Sequence, residues 1–571
     1  MQSRRYKTDI PAMKKMIYAY FLGCLLGLAG TAVYGQVPNW VWAEGAVGTE
    51  TGYSVATDPS GNVYVAGNFT CDSITVGAYT FYNSYWFTTD LFLAKYNADG
   101  EVLWAISAGG HLVEGATSLA VDAWGNVYMT GYFSSDTITF GNHFLKNTYV
   151  DWNDVFLVKY SPDGEALWLV GAGGGMHDNS SAVAVDESGN VYIAGSFQWS
   201  INFGPVILQN LDHTGYGSTD FFLAKYDSDG SFKWATSSQG MDYDEPRSLS
   251  VDDDGNVYVT GYFNSRSIAF DNIIVPNYDS ASPSQYLPRD IFIAKYNTNG
   301  DALWAKGAGG SDNDDARSLA VNSDAGIYLT GDFESRFITF DSITLANSDS
   351  NSCTETFLAK YSTSGDLVWA QNTIGNSVDY GCAVAVDSIG YVYQAGYYSS
   401  GSLNFGNFSI QNSGYQPVFV TKYSPEGEAL WAIQSSGNSW IYNVCLDITG
   451  TLNPDIYVSG KHAGQLYFGN DTIGDTGFFI AKLNENEVSD IQEDIDNQHI
   501  ALFPNPADNY LTIENAGNTN LEIFDLQGKL ISTITVDNFR TTLNITGLHQ
   551  GLYLLKFNYA DGAVVKKFIK R

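Results

Sequence analysis

Three phrases recur along this chain, each seven times. The first is centred on Trp42, Trp104, Trp168, Trp234, Trp304, Trp369 and Trp431. The second, Phe-x-Ala-Lys and its variants, places Lys95, Lys159, Lys225, Lys295, Lys360, Lys422 and Lys482. The third, GNVYVAG and its variants, places Tyr64, Tyr128, Tyr192, Tyr258, Tyr328, Tyr393 and Tyr457. Copies stand about 65 residues apart, and one count shared by three separate phrases marks a repeat architecture.

Each unit reads as four short strands. Strand a is SLAVD-like (Ser118–Asp122), b is NVYMTGYF-like, c is FLVKY-like and d is ALWLV-like. Turns of the type DPSGN, DAWGN and DDDGN join a to b, and NADG, SPDG and DSDG join c to d. In such turns Asp or Asn accepts a backbone hydrogen bond and Gly supplies a positive φ. The acids there lack the spacing and closing Glu of a calcium-binding EF-hand loop. Abundant Gly (58 residues) and 15% aromatics suit many short strands. A sheet apolar on both faces cannot bury itself, so the units are expected to stack around an axis as an all-β, seven-bladed β-propeller. Trp42 precedes any complete unit, and the last unit ends at Phe479–Leu483 with no Trp phrase after it. The strand around Val41–Val47 is therefore expected to serve as strand d of the last blade, closing the ring and removing an open edge.

The phrases resemble the bacterial SBBP propeller repeat, whose pattern is close to D-x-A-x-S-[IL]-A-V-D-x-x-G-N-V-Y-V-T-G, then D-x-F-[VLI]-A-K-Y, then W. The resemblance covers residues 41–483 and implies a fold, without implying an activity.

The ends of the chain address export. Arg4, Arg5, Lys7, Lys14 and Lys15 precede the apolar run IYAYFLGCLLGLAGTAV, so residues 1–35 read as a signal peptide, cleaved near Gly35–Gln36, with Met13 an alternative start. An uncleaved anchor and lipidation at Cys24 are the other readings. No membrane span is expected once the signal is removed. Residues 36–483 are assigned to the propeller, 484–498 to an acidic linker, and 499–571 to a small β-sandwich. In that last segment Phe503-Pro504-Asn505-Pro506, Ile523–Gly528, Gly551-Leu552-Tyr553 and the basic end Lys566–Arg571 resemble the C-terminal sorting domain of the type IX secretion system of Bacteroidetes. The resemblance implies the secretion machinery as partner, removal of the domain after transit, and a secreted or outer-membrane surface-attached product. An ordinary adhesive sandwich module is the alternative.

The net charge of −34 repels phosphate backbones, so nucleic acid is not an expected partner. The cysteines show neither a disulfide framework nor zinc spacing, and the histidines share no repeat position. Nucleophile-elbow and phosphate-loop motifs are absent. Two rings of acids are expected on one face. Glu50, Glu114, Asp178, Asp244, Asp314, Asp379 and Ser439 start the a strands, and Asp90, Asp154, Asp220, Asp290, Glu355, Pro417 and Gly477 lie just before strand c. One reading is a cation-binding face, with Ca²⁺ the ion such rings would attract. The other is that each carboxylate accepts loop amides and spaces the blades. No other cofactor is implied. The repeated lysines are expected to pair with turn Asp residues at the opposite end. The long b–c connections offer Tyr82, Tyr85, Trp86, Tyr149, Trp152, Tyr216 and Tyr286 as ligand-contact candidates, since aromatic rings stack on sugars or anchor proteins. Covering the outer strands as local mini-cores is the competing role. The resulting expectation is an exported binding or adhesion scaffold for a glycan or protein. The alternatives are a polysaccharide hydrolase or lyase at the channel mouth, and a structural surface or matrix component.

Overall fold

The computed structural model describes residues 38–47, 51–83, 85, 88–210, 217–282, 284, 287–348, 353–412, 414–449, 454–474 and 476–485. It also describes 501–503, 507, 509–514, 519–524, 530–536, 540–548, 551–559 and 562–571. The expected signal peptide and most of the expected linker lie outside these residues. The chain divides into two compact units, residues 1–487 and 488–571.

Among the described residues the first unit is all β. It contains seven antiparallel four-strand arrays, six of them drawn from one stretch of chain; two are extended to six strands by a neighbouring hairpin and one carries a fifth strand. Sheet 1 runs Thr51–Thr57, Val63–Phe69, Asp90–Tyr96, Val102–Ala108. Sheets 2 to 6 open with Glu114–Val121, Asp178–Val185, Asp244–Val251, Asp314–Asn322 and Asp379–Val386. The seventh orders Ser436–Thr449, Asp455–Phe468, Thr476–Asn484 and then Asn39–Val47 from the other end of the chain. Trp42 there pairs with Lys482, and Val47 with Gly477.

The b and c strands carry apolar residues on both faces because both faces are covered. Val63–Phe69 and Asp90–Tyr96 are buried at every position. Each core is shared between neighbouring sheets: Tyr64 and Leu93 of sheet 1 pack with Met129 and Phe156 of sheet 2. Likewise Ala46, Tyr457, Phe478 and Ile480 of sheet 7 pack with Val63, Val65 and Phe92 of sheet 1. Thr57 Oγ1 donates to Asp447 Oδ2 at 2.9 Å across the same junction.

The four-strand unit expected from the sequence is incomplete. Each b–c connection folds a further hairpin, such as Ser73–Val76 with Tyr79–Tyr82 and Thr137–Phe140 with His143–Lys146. Its inward residues (Ile74, Val76, Ile138, Phe140) are buried. The hairpin of one unit lies against the outer strand of the unit before it: Gly173 pairs with Asn202, Ala308 with Phe340, and Ile374 bridges to Asn404. An edge that would otherwise expose unpaired amides is thereby covered.

In the second unit, Ala501–Phe503, Tyr510–Glu514 and Arg540–Asn544 form one sheet. Leu530–Val536, Thr519–Phe524, Gly551–Tyr559 and Gly562–Lys570 form another. They share a core that includes Leu511, Ile513, Leu521, Leu555, Phe557 and Phe568. Among the described residues no helix is long and apolar enough to cross a membrane.

Candidate functional site

The two ends of the repeat unit differ in kind. At the turn end every repeated cation has a defined partner. Asp58 caps its turn by accepting the amides of Ser60 and Asn62 and the hydroxyl of Tyr64. Lys95 lies over the Tyr64 ring at 5.0 Å and 3.7 Å from Asp58. Its shorter bond goes to the next unit: Lys95 Nζ and Trp104 Nε1 both donate to Pro162 O, at 3.1 and 3.0 Å. The same clasp recurs with Lys159 and Trp168 on Ser228 O, Lys225 and Trp234 on Thr298 O, Lys295 and Trp304 on Thr363 O, and Lys360 and Trp369 on Pro425 O. Lys482 and Trp42 close on Ala98 O of sheet 1, at 3.1 and 3.0 Å. The c–d turns need Gly for two reasons. Gly100 takes φ +86, and its face lies so close to the Trp42 ring that a Cβ would stand 2.8 Å from it. Sheet 7 has no c–d turn to offer a carbonyl. There the Glu485 carboxylate replaces it, accepting from Lys422 at 2.6 Å and Trp431 at 3.1 Å.

At the other end like charges are buried together. Glu114, Asp178, Asp244, Asp314 and Asp379 are each fully buried, as are Asp220 and Glu355, while Asp90, Asp154 and Asp290 are nearly so. Glu50 lies outside the described residues, and Ser439 is buried without a charge. The acids meet in pairs across sheet junctions, because the amide of each strand-a acid donates to the carbonyl just before the neighbouring strand-c acid. Glu114 N reaches Thr89 O, Asp178 N reaches Asn153 O, and Asp314 N reaches Arg289 O. Burial, and secondarily Glu114, push Asp90 up to about 7. Burial pushes Asp290 up to about 7 and Asp379 up to about 6. Four of the strand-a acids are answered by a serine two residues beyond strand b: Ser135 on Glu114, Ser265 on Asp244, Ser335 on Asp314 and Ser400 on Asp379. Among the described residues no group of three or more His, Cys, Asp and Glu side chains gathers as a metal cluster.

One junction opens into a cavity of about 500 Å³, between sheets 1 and 2. Tyr85, Asp90, Gly109, Gly110, His111, Asp136, Thr137 and Thr139 are among its lining. His111 Nδ1 is 3.3 Å from Asp136 Oδ1, and Tyr85 stands edge-on to the His111 ring at 6.3 Å. Asp90 Oδ1 is buried with no hydrogen-bond partner. Glu114 sits behind the wall, held by Gly110 N and Ser135. Of the aromatic candidates, Tyr82, Tyr85 and Tyr149 are exposed. Trp152 is not free as expected, because its ring packs edge-on against His177 at 4.7 Å. Trp86, Tyr216 and Tyr286 lie outside the described residues. Among the described candidates, only Tyr85 lines the cavity.

Residues 501–571 match the secretion system C-terminal sorting domain, and residues 242–268 match the beta-propeller repeat SBBP. This is a type IX-exported β-propeller-repeat protein. The sorting domain directs it to the secretion machinery, and the product is secreted or attached to the outer-membrane surface. An uncharacterized WD repeat-containing protein of Acanthamoeba polyphaga mimivirus is 24% identical over 458 residues, 66% of this chain and 32% of its own. The regulatory protein FlaEY of Caulobacter vibrioides is 30% identical over 138 residues, 24% of this chain and 14% of its own. The chain thus spans a third or less of the length of these curated relatives. Among solved structures, PorZ, a surface component of the type IX secretion system of Porphyromonas gingivalis, is 12% identical with a TM-score of 0.27, covering 90% of this chain and 70% of its own. NanB sialidase of Streptococcus pneumoniae is 9% identical with a TM-score of 0.33, covering 80% and 72%.

Sequence reasoning missed a second break in the exported propeller's symmetry. Between residues 36 and 483 every arginine (Arg247, Arg266, Arg289, Arg317, Arg336) belongs to units 4 and 5. Arg247 and Arg289 flank the Tyr262 ring at 5.0 and 4.9 Å, and Arg317 lies over Tyr380 at 5.1 Å. Each guanidinium also has an acid, in Glu245, Asp315 and Asp332 respectively. A tally of Arg by unit would have revealed the clustering.

Proposed function

We propose that this exported protein is a closed seven-bladed propeller that binds a neutral saccharide chain in the cavity between sheets 1 and 2. In this reading residues 1–35 are the signal peptide. The two C-terminal sheets form a β-sandwich that is removed after transit and leaves the propeller as an adhesion or binding scaffold. The cavity's lining carries the reading. It combines a half-exposed tyrosine ring, suited to stacking on a sugar face, with carboxyl, threonine and main-chain groups suited to hydroxyls. His111 has no counterpart at the other junctions, whereas Tyr149 stands where Tyr85 does and Asp72 where Asp136 does, so it is the histidine that breaks the repeat here, as a ligand site is expected to. A glycan array followed by calorimetry on the purified chain tests it. Binding that falls at least tenfold in Tyr85→Ala and Asp136→Ala, with unchanged melting, supports the reading. Binding indifferent to both variants overturns it.

A second reading, glycoside hydrolysis, is favoured by one observation. Asp90, raised to about 7, shares the cavity with Asp136, and hydrolysis uses one protonated and one ionised carboxyl. Turnover of any bound glycan, lost in Asp90→Asn while binding persists, would select it over simple binding.

A further inference from the structure

From the junction of sheets 1 and 2 to that of sheets 5 and 6, a strand-c acid faces a strand-a acid. Between sheets 6 and 7 both are missing, and Pro417 and Ser439 stand in their places. Aromatic rings and a cation occupy this junction instead. Ser436–Thr449 and Asp455–Phe468 run as unbroken 14-residue strands, so this end of sheet 7 is a stiff ribbon. Ile441 is buried in the core, and Trp440 and Tyr442 on either side of it project outward, Tyr442 as the extra residue of a bulge. Tyr415, from the b–c connection of sheet 6, stacks on Trp440 with ring centroids 5.6 Å apart and planes at 10°. That connection is pinned to the ribbon. Gln416 N donates to Ser439 O at 3.2 Å, and Ile441 N donates to Gln416 Oε1 at 3.2 Å. Gly414 passes so close that a Cβ on it would stand 1.8 Å from Gly437 O. Yet Tyr415, Trp440 and Tyr442 all remain more than half exposed.

The cation is Lys461, the residue after the strand-b glycine. The other sheets place Asn68, Tyr132, Ser196, Tyr262, Asp332 and Tyr397 there, so sheet 7 alone puts a positive charge at this level. Its ammonium lies 5.4 Å from the centre of the Tyr442 ring, and among the described residues no carboxylate pairs with it. The repeated lysines, by contrast, each reach a carbonyl or carboxylate of a neighbouring unit. In a chain of net charge −34, this junction therefore presents a cation with no acid of its own beside a rigid row of rings. An anionic group meets attraction here and repulsion along the rest of the acid end. Three half-exposed rings offer far less than the roughly 800 Å² per partner of a stable protein interface. They match the width of an extended sugar chain, whose ring faces stack on aromatic faces while a carboxylate meets the ammonium.

We propose that the Tyr415–Trp440 stack, Tyr442 and Lys461 form a second saccharide site, for a uronate-bearing chain, separate from the cavity between sheets 1 and 2. The rings take the sugar faces, and Lys461 selects chains that carry carboxylates. The test is calorimetry and tryptophan fluorescence of the full chain with oligomers of galacturonate and of mannuronate. Their methyl esters serve as neutral comparators, and a glutamate oligomer as an acidic peptide. Expected is saturable binding of a uronate oligomer, about tenfold weaker for its ester and in Trp440→Ala. Lys461→Gln should weaken it about fivefold, and Lys461→Arg should restore most of that loss. Tyr85→Ala, in the other cavity, should leave it unchanged. Melting should stay unaltered, because the substituted side chains are exposed; if Trp440→Ala does not fold, Lys461→Gln and the ester comparison still decide. No binding of either uronate oligomer, equal binding of the esters, or affinity indifferent to both Trp440→Ala and Lys461→Gln would each overturn the proposal. So would a glutamate oligomer bound as tightly, which would mean a surface that reads charge alone. Loss in Tyr85→Ala instead of Trp440→Ala would also overturn it, by moving the ligand to the cavity between sheets 1 and 2.

Discussion

The two ends of the propeller unit bury a similar number of charges and treat them in opposite ways. At the turn end Lys95, Asp58, Tyr64 and Trp104 satisfy one another and the carbonyl of the next unit, and the Lys–Trp clasp recurs seven times, six times on a carbonyl and once on the Glu485 carboxylate. At the acid end carboxylates meet carboxylates, and several oxygens have no donor. Repetition with full pairing is what a scaffold needs, since any unit that loses a clasp loosens its neighbour. Paired like charges instead hold unfavourable energy that protons, cations or ligands can relieve. The difference locates mechanical integrity at one end and responsiveness at the other.

The sharpest way to break the comparison is to attack the clasp where the chain ends meet. Trp42 bonds Ala98 O, packs on Tyr96 and Tyr457, and covers Gly100. Trp42→Ala is expected to lower stability by about 3–5 kcal/mol, and a chain lacking residues 36–50 by more, read by urea unfolding. If the shortened chain melts like the full one, sheet 7 does not depend on its borrowed strand. Next in size is Glu485. Glu485→Ala leaves Lys422 and Trp431 with no acceptor in a largely buried position, which is expected to lose about 3 kcal/mol. Glu485→Gln keeps one acceptor oxygen, enough for either Lys422 or Trp431 but not both, and should lose less than Glu485→Ala. Equal losses would show that the charge, and not the acceptor, matters.

Glu485 also shows where reading the sequence stops. The offset between Trp42 and the last Phe-x-Ala-Lys phrase was enough to place the N-terminal strand beside Thr476–Asn484. The same logic should have asked what Lys422 and Trp431 bond to in a unit with no c–d turn. Glu485 was instead grouped with the acidic run 484–498, because a carboxylate among carboxylates looks solvated until its partners are known. The hairpins of the b–c connections were hidden for another reason: strands of three or four residues carry too few alternations to separate from loop. At the site, the acid positions were legible from the repeat, but their pairing was not. Asp90 and Glu114 come from different sheets, and nothing local in the sequence says that strand c of one unit faces strand a of the next. His111 and Asp136 meet only because a hairpin folds back over the junction.

A smaller effect sharpens the contrast by its sign. Asp252 at the turn end accepts the Asn256 amide at 2.8 Å and the Tyr258 hydroxyl at 2.9 Å, with Lys295 3.6 Å away. Asp252→Asn should destabilise by about 1–3 kcal/mol. Asp290 at the acid end has one oxygen with no partner. Asp290→Asn removes a charge the fold disfavours and should be neutral or stabilising at pH 8. If both variants destabilise alike, the two ends are not opposed.

The gentlest probe is pH. In the folded chain Asp90 and Asp290 are raised to about 7 and Asp379 to about 6, each chiefly by burial, against an ordinary value of 3.8. The folded state therefore holds these protons more tightly than the unfolded state does. Their contribution is fully present below about pH 4 and is lost as pH rises through 6 to 7. Held in EGTA, the protein should melt at a higher temperature at pH 5.5 than at pH 8, a direction opposite to that of a cation-paired carboxylate such as Asp227, which Lys233 holds below its ordinary value. Asp290→Asn should flatten the profile between pH 5.5 and 8, since the amide has no proton to lose. A flat wild-type profile, or one rising toward pH 8, would mean that the acid end is neutralised by something other than protons even when calcium is withheld.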